Sequence, residues 1–192
     1  GAIIQKLNAV ESFANVKIVC TDKTGTLTQN KLAVNRITPL TDKYTTEEIE
    51  KLLGTYAKLS SDKNATLRTL EVYKADDSTK TIEEIPFSSE NKMSLLQISN
   101  SKEQITIVFG GFDILIDKSE GKEKANSRFE KDGLKIYRNL LLGIEISGRP
   151  LKELEEKLDS VSIEPICIVS ITDQVRDDVM EAINLFHNND IE

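Results

Sequence analysis

The sequence predicts an α/β protein in which a partial parallel sheet is interrupted by an inserted α+β domain built on an antiparallel sheet. Three observations predict it. Val16 to Cys20 (VKIVC) and Ile166 to Ile171 (ICIVSI) are short apolar runs with β-branched residues, which suits parallel strands covered on both faces. The second run is followed by a loop and a helical pattern, the usual order in such sheets. Between the two runs, from Thr81 onward, the hydrophobic period drops toward two, as consecutive strands require. The expected division is residues 1–33 and 164–192 for the parallel unit and 34–163 for the insert.

Taken in order, Leu7, Val10, Phe13 and Ala14 fall at helical spacing and predict a short amphipathic helix before the first strand. Leu32 to Ile37 reads as the strand that leaves the first unit. Thr45-Thr46-Glu47-Glu48 has capping-box spacing, and Ile49, Leu52, Leu53 and Tyr56 then line one helix face. Asn64 caps a second helix from Ala65 to about Lys74. Thr81 to Ile85, Met93 to Ser99, Gln104 to Phe109 and Lys135 to Ile146 are the expected strands, with Asn100-Ser101 turning the middle pair. The charged stretch Ser119 to Asp132 predicts a solvated helix ended by Gly133, and Pro150 opens another through Leu158. After Ile171, Thr172-Asp173 forms a loop and a helix follows from about Val175 to Asn188.

A chain of 192 residues can bury one large core or two modest ones. Its net charge of −7 argues against nucleic acid or an anionic membrane as a partner, because such a surface gains nothing from counterion release. Cys20 and Cys167 each lie in an apolar run, so two small buried thiols in a reducing cytosol are expected rather than a disulfide or metal pair. No run approaches the roughly 18 to 20 apolar residues that span a bilayer, and there is no signal peptide. The absence of an initiator Met and the stop just after a helical pattern read as a segment of a longer chain, expected to be monomeric. His187, the single histidine, sits near a predicted helix end, where its cationic form favours the helix dipole, and carries no catalytic role.

The chemistry concentrates at Cys20 to Thr28, CTDKTGTLT. Asp22 falls at the carboxyl end of an apolar strand, where open α/β sheets place their chemistry. A carboxylate there can attack a γ-phosphoryl group and hold it as an aspartyl phosphate, provided a cation, expected to be Mg²⁺, neutralises the phosphoryl oxygens. Gly25 lets the backbone turn sharply, while Thr24, Thr26 and Thr28 offer hydroxyls and amides as donors. The plainer alternative is a turn with an exposed Asp.

DKTGTLT resembles the phosphorylation motif of the P-type cation-transporting ATPases, a branch of the haloacid dehalogenase-like (HAD-like) superfamily with a Rossmann-type parallel sheet. The resemblance implies that Asp22 is the phosphorylated residue and that Thr24 lends its carbonyl oxygen to Mg²⁺ beside the Asp22 carboxylate. Phosphatases of the superfamily carry a second Asp two positions after the nucleophile as general acid and base, and Thr24 stands there instead. Without that proton carrier water attacks the acyl phosphate slowly, which favours a pump over a soluble phosphatase or a non-catalytic nucleotide-binding module.

Ile85 to Met93 resembles the FS-x-x-x-K segment of the family's nucleotide-binding domain, implying Phe87 as the adenine platform and Lys92 as a cation near the ATP. Any such site must be a local basic patch on an acidic chain. Gly133-Leu134-Lys135-Ile136 resembles G-[LM]-R-V, with Lys135 in place of the phosphate-contacting Arg and without its bidentate fork. Asp173 and Arg176 match the D-P-x-R segment, which implies that Asp173 faces the phosphorylation site and that Arg176 fixes the junction between domains.

Two positions depart from the pattern. Phe109 replaces the ATP-pocket lysine of K-G-A-[PS]-E, and Leu67 replaces the acceptor of P-T-E, although Gly110 and Gly111 still allow close backbone approach to a ligand. The absence of a His-Pro pair points away from the heavy-metal branch and toward a calcium-like cation pump. The family's TGD and GDGxxND segments are not in this sequence. The implied setting is the cytoplasmic face of a membrane, with the cation moving through a membrane domain, and the chain alone is expected not to turn over ATP.

Overall fold

Six strands, β1 (Thr28–Pro39), β2 (Lys80–Ile85), β3 (Met93–Ser99), β4 (Gln104–Gly111), β5 (Arg138–Glu145) and β6 (Ile163–Val175), form one sheet in the order β1-β6-β5-β4-β3-β2. The structure is a computed structural model that describes residues 15–101 and 103–191. The helix expected over Leu7 to Ala14 lies outside the described residues. The chain divides into two compact units, Leu32–Thr172 in one and Gly1–Lys31 with Asp173–Glu192 in the other.

The larger unit is α/β with a sheet buried on both faces. Along β5, Leu140 and Leu142 belong to one apolar cluster and Leu141 to the other, and Phe109 and Val108 divide in the same way on β4. That two-sided burial explains why the central strands read as continuous apolar runs. Helix α1 (Thr46–Leu59) covers the first face with Ile49, Leu53 and Tyr56, and the short α2 (Ala65–Arg68) adds Leu67. On the second face lie α3 (Phe112–Leu115), α4 (Lys122–Lys131) and α5 (Leu151–Glu156).

Several local signals act as their chemistry dictates. The capping box closes in both directions, with the Glu48 N–H donating to Thr45 Oγ1 at 3.3 Å and the Thr45 N–H to Glu48 Oε2 at 2.8 Å. Asn64 Oδ1 accepts the Leu67 N–H at 3.0 Å, but α2 ends at Arg68 rather than near Lys74. The Thr69 hydroxyl donates back to the Thr66 carbonyl at 2.7 Å, and the chain tightens into turns. Leu134–Ile136 forms a 3-10 turn, so the strand expected from Lys135 begins at Arg138.

The expected parallel sheet is not what these residues build. β6 pairs antiparallel with β5, from Arg138 opposite Ile171 to Glu145 opposite Ile163, so Ile166 to Ile171 belongs to the antiparallel sheet. Pro165, which has no N–H to donate, sits at the register shift opposite Gly143. β6 continues to Val175, so Thr172-Asp173 is strand rather than loop and α6 (Val179–Asn188) starts later than expected. Val16 to Cys20 is in no strand, and Ile18 and Val19 are 67% and 38% exposed. An apolar run becomes a strand only by pairing, and the described sheet offers it no neighbour. Cys20 is accordingly exposed, against expectation, whereas Cys167 is fully buried and its thiol pushed up by burial into an unreactive form.

Candidate functional site

The Asp22 loop is held by backbone and side-chain hydrogen bonds together. Asp22 is extended and exposed, and Lys23–Leu27 forms a π-helical turn closed by the Thr28 N–H on the Lys23 carbonyl. Gly25 sits in this turn at φ +79°, a left-handed conformation that a Cβ would strain. Its N–H donates to Thr28 Oγ1 at 3.1 Å, and that hydroxyl donates to Asp173 Oδ2 at 2.5 Å. The Lys31 N–H reaches Asp173 Oδ1 at 2.8 Å, so both carboxylate oxygens of Asp173 fasten the exit of the loop. The Arg176 N–H donates to the Leu27 carbonyl at 3.1 Å, while its guanidinium makes two 3.1 Å bonds to Asp178. Gly25, Thr28 and Arg176 with Asp177 line a recess of about 450 Å³.

Asp22 itself stays uncommitted. Among the described residues its carboxylate has no hydrogen-bond or ion-pair partner. No three His, Cys, Asp or Glu side chains gather as a metal cluster among those residues. Mg²⁺ needs none, since it is held through one or two carboxylates with waters and phosphate oxygens, and an exposed carboxylate is a hard oxygen donor of the required kind. The donor chemistry at Asp22 fits the ion.

A second site is built entirely within the larger unit. Tyr56, Leu67, Phe109 and Leu140 line a cavity of about 440 Å³, with the 40% exposed Phe87 among its walls. The volume is within the range usual for small-molecule sites. Phe109, in the place where a lysine was expected, packs its ring 5.0 Å from that of Tyr56. Burial pushes the Tyr56 phenol well above its ordinary range, and its hydroxyl donates to Ser94 Oγ at 2.5 Å, which donates to the Phe109 carbonyl at 3.1 Å. The inner wall is therefore apolar or already hydrogen-bonded, suited to an aromatic ring rather than to a charge.

The predicted cations distribute unevenly. Lys92 does not line the cavity; it turns the chain at φ 52°, its N–H on the Ser88 carbonyl and its own carbonyl accepting the Gly111 N–H. Lys135 is exposed and paired with Glu130 at 2.9 Å, also outside the lining. Gly110 does line it, and a second constraint also requires a glycine there. A Cβ there would strike the Lys92 carbonyl oxygen and the Met93 Cα, so the bare Cα serves the pairing of β3 with β4. Gly111 is outside the lining, where a Cβ would meet Asp113 Oδ1 at 2.7 Å.

The cation that does line the cavity is Arg138, which sequence reasoning missed. It is exposed and has no ion-pair partner among the described residues. Strand alternation from Leu140 and Leu142 would have placed it on the Phe109 face of β5.

No family model matches the chain. Over 98% of its length it is 29% identical to a probable cation-transporting ATPase, exp7, of Streptococcus pneumoniae serotype 4. The similarity is to P-type cation-transporting ATPases. The calcium-transporting ATPase CtpE of Mycobacterium bovis is 26% identical over 96% of the chain, and plasma membrane ATPase 2 of Saccharomyces cerevisiae 28% over 97%. The chain spans 23%, 22% and 20% of these relatives. A solved zinc-transporting PIB-type ATPase shares the fold over 96% of the chain and 26% of its own, with a TM-score of 0.61 at 15% identity. No helix among the described residues is long and apolar enough to cross a membrane.

Proposed function

We propose that the chain is the ATP-binding and phosphorylation region of a P-type, ATP-driven cation pump, with Leu32–Thr172 as its nucleotide-binding domain and the rest as part of its phosphorylation domain. The observation that carries the reading is the Asp22 loop: an exposed carboxylate, without a partner among the described residues, at the start of a turn whose exit Asp173 and Thr28 hold. Support comes from the ATPase relatives, which match both units of the chain.

Asp22 attacks the γ-phosphorus of ATP, a carboxylate O–P bond forms, and the bond to the leaving ADP oxygen breaks. Asp22 and the Thr24 carbonyl would hold Mg²⁺, which when bound neutralises the phosphoryl oxygens. Asp173 acts at a distance from the reacting atoms by fixing the loop through Thr28 and Lys31. Phe87 stacks on the adenine, and Arg138, rather than Lys92 or Lys135, supplies the cation beside it. The calcium-transporting name of CtpE fits a calcium-like cation, and the sequence departs from the heavy-metal branch. A soluble phosphatase is disfavoured by Thr24, which leaves no acid or base two residues after Asp22.

The test is phosphoenzyme labelling of the full-length parent with γ-labelled ATP. An acid-stable, hydroxylamine-sensitive adduct forms in the parent and is abolished in Asp22→Asn, because an amide is no nucleophile toward phosphorus. Undiminished labelling of the variant would remove Asp22 from the mechanism. The 192-residue chain alone binds ATP without releasing phosphate, since Asp22 and Thr24 supply only part of an octahedral Mg²⁺ shell.

A further inference from the structure

The polar side chains around the Phe87 cavity differ in how much hydrogen-bonding capacity they have left. Asn64 Oδ1 caps α2 through the Leu67 N–H, and the Ser94 hydroxyl is taken between Tyr56 and the Phe109 carbonyl. Arg138 can only donate. Leu67, 3% exposed, offers nothing polar. The Thr66 hydroxyl also lines the cavity and can donate as well as accept, so it does not favour one base edge over another. Asp62 is the one carboxylate of the lining and can only accept when ionised. Its Oδ2 accepts the backbone N–H of Phe87 at 2.9 Å, and its Oδ1 has no described partner. The carboxylate lines the same cavity as the Phe87 ring and is fixed to that residue's own backbone.

We infer that Asp62 is the base-reading residue of this site and selects a purine carrying a 6-amino group. The inference rests on the proposed nucleotide reading of the cavity. A ring stacked on Phe87 is held by its face alone, which every purine offers, so stacking cannot distinguish one base from another. An ionised carboxylate beside the ring accepts N–H and repels carbonyl oxygen, which adds the missing discrimination. One free oxygen matches the single N–H that the 6-amino group of adenine can aim at it. Guanine carries a carbonyl oxygen at position 6, which an ionised carboxylate repels at the place where it accepts from the adenine amino group. The bond to the Phe87 N–H keeps reader and platform at a fixed separation, so the preference needs no rearrangement on binding.

The test compares ATP with purine riboside triphosphate, which differs only in lacking the 6-amino group, and with GTP, by calorimetry or NMR titration of the 192-residue chain. ATP is expected to bind about tenfold more tightly than purine riboside triphosphate, as one hydrogen bond to a charged group allows. Asp62→Ala is expected to bring that ratio to about one, and Asp62→Asn, a neutral acceptor, to an intermediate value. Looser packing of the Phe87 loop would weaken both nucleotides together and leave the ratio alone, so the ratio isolates base reading from structural damage. A wild-type ratio retained in Asp62→Ala, or GTP binding as tightly as ATP, overturns the role of Asp62. If instead Phe87→Ala leaves ATP binding unchanged, or no nucleotide binds, the reading of the cavity fails and the inference with it.

Discussion

In the unit that carries Asp22, Ile18, Met180 and Leu185 keep 67%, 63% and 61% of their surface exposed, whereas in the larger unit Leu95, Leu96, Ile107 and Leu141 keep none. The larger unit covers its sheet on both faces with its own helices. In the smaller one, the described order near Asp22 comes from polar ties: Gly25 to Thr28, Thr28 and Lys31 to Asp173, and Arg176 to Leu27. The difference teaches that the two halves of the proposed reaction depend on different physics. The proposed nucleotide site relies on packing, and the loop geometry on a few hydrogen bonds around one carboxylate.

Stability should separate the units most sharply. Leu96→Ala removes a fully buried side chain from the larger core and is expected to cost about 2 to 5 kcal/mol, read as a lowered midpoint in urea or thermal unfolding. Leu185→Ala, on the exposed face of α6, should change stability by no more than about 0.5 kcal/mol. Equal losses would erase the contrast and mean that the exposed face of α6 is covered in solution.

How legible each region is follows from how far apart its determinants lie. The capping box at Thr45 and Glu48 and the alternation of β3 and β4 are local, and their patterns name the elements they form. The Asp22 motif is contiguous, so its turn could be anticipated from Gly25 and the threonines, while its fastening to Asp173 could be anticipated only in outline. Pairing is non-local, and that is where reading failed: nothing within ICIVSI states that its neighbour is an antiparallel β5. The cation that lines the cavity went unread for a related reason. Lys135 matched a motif by string, but the 3-10 turn at Leu134–Ile136 starts the strand at Arg138.

The next effect should be at the platform. Stacking on one aromatic is worth roughly 1 to 3 kcal/mol per base, so Phe87→Ala should take a large share of the affinity of the chain for ATP. With a dissociation constant on the order of 1 mM, about 4 kcal/mol in all, binding would fall beyond easy detection by titration. Because Phe87 is 40% exposed and outside both apolar clusters, the same variant should unfold at nearly the wild-type midpoint. A large stability loss without a binding loss would make Phe87 a packing residue.

The smallest expected effect is also the one that decides between two readings of the cation. Lys135 is 68% exposed and already paired with Glu130, and an exposed ion pair contributes only about 0 to 1 kcal/mol, so Lys135→Ala should barely alter ATP affinity. Arg138 lines the cavity without a carboxylate partner among the described residues, and its planar fork can donate two bonds to one phosphate group. Its exposure brings solvent screening, so Arg138→Ala should cost about 1 kcal/mol rather than the larger value of a buried charge-assisted bond. The loss should shrink as salt rises from roughly 0.01 M toward roughly 0.15 M, where the screening length falls to about 8 Å. Arg138→Lys should recover the charge and its salt dependence but not the whole affinity, because an ammonium cannot reproduce the fork. If Lys135→Ala weakens ATP more than Arg138→Ala does, the phosphates lie toward the turn at Leu134–Ile136, and the motif match gave the better guide than the cavity.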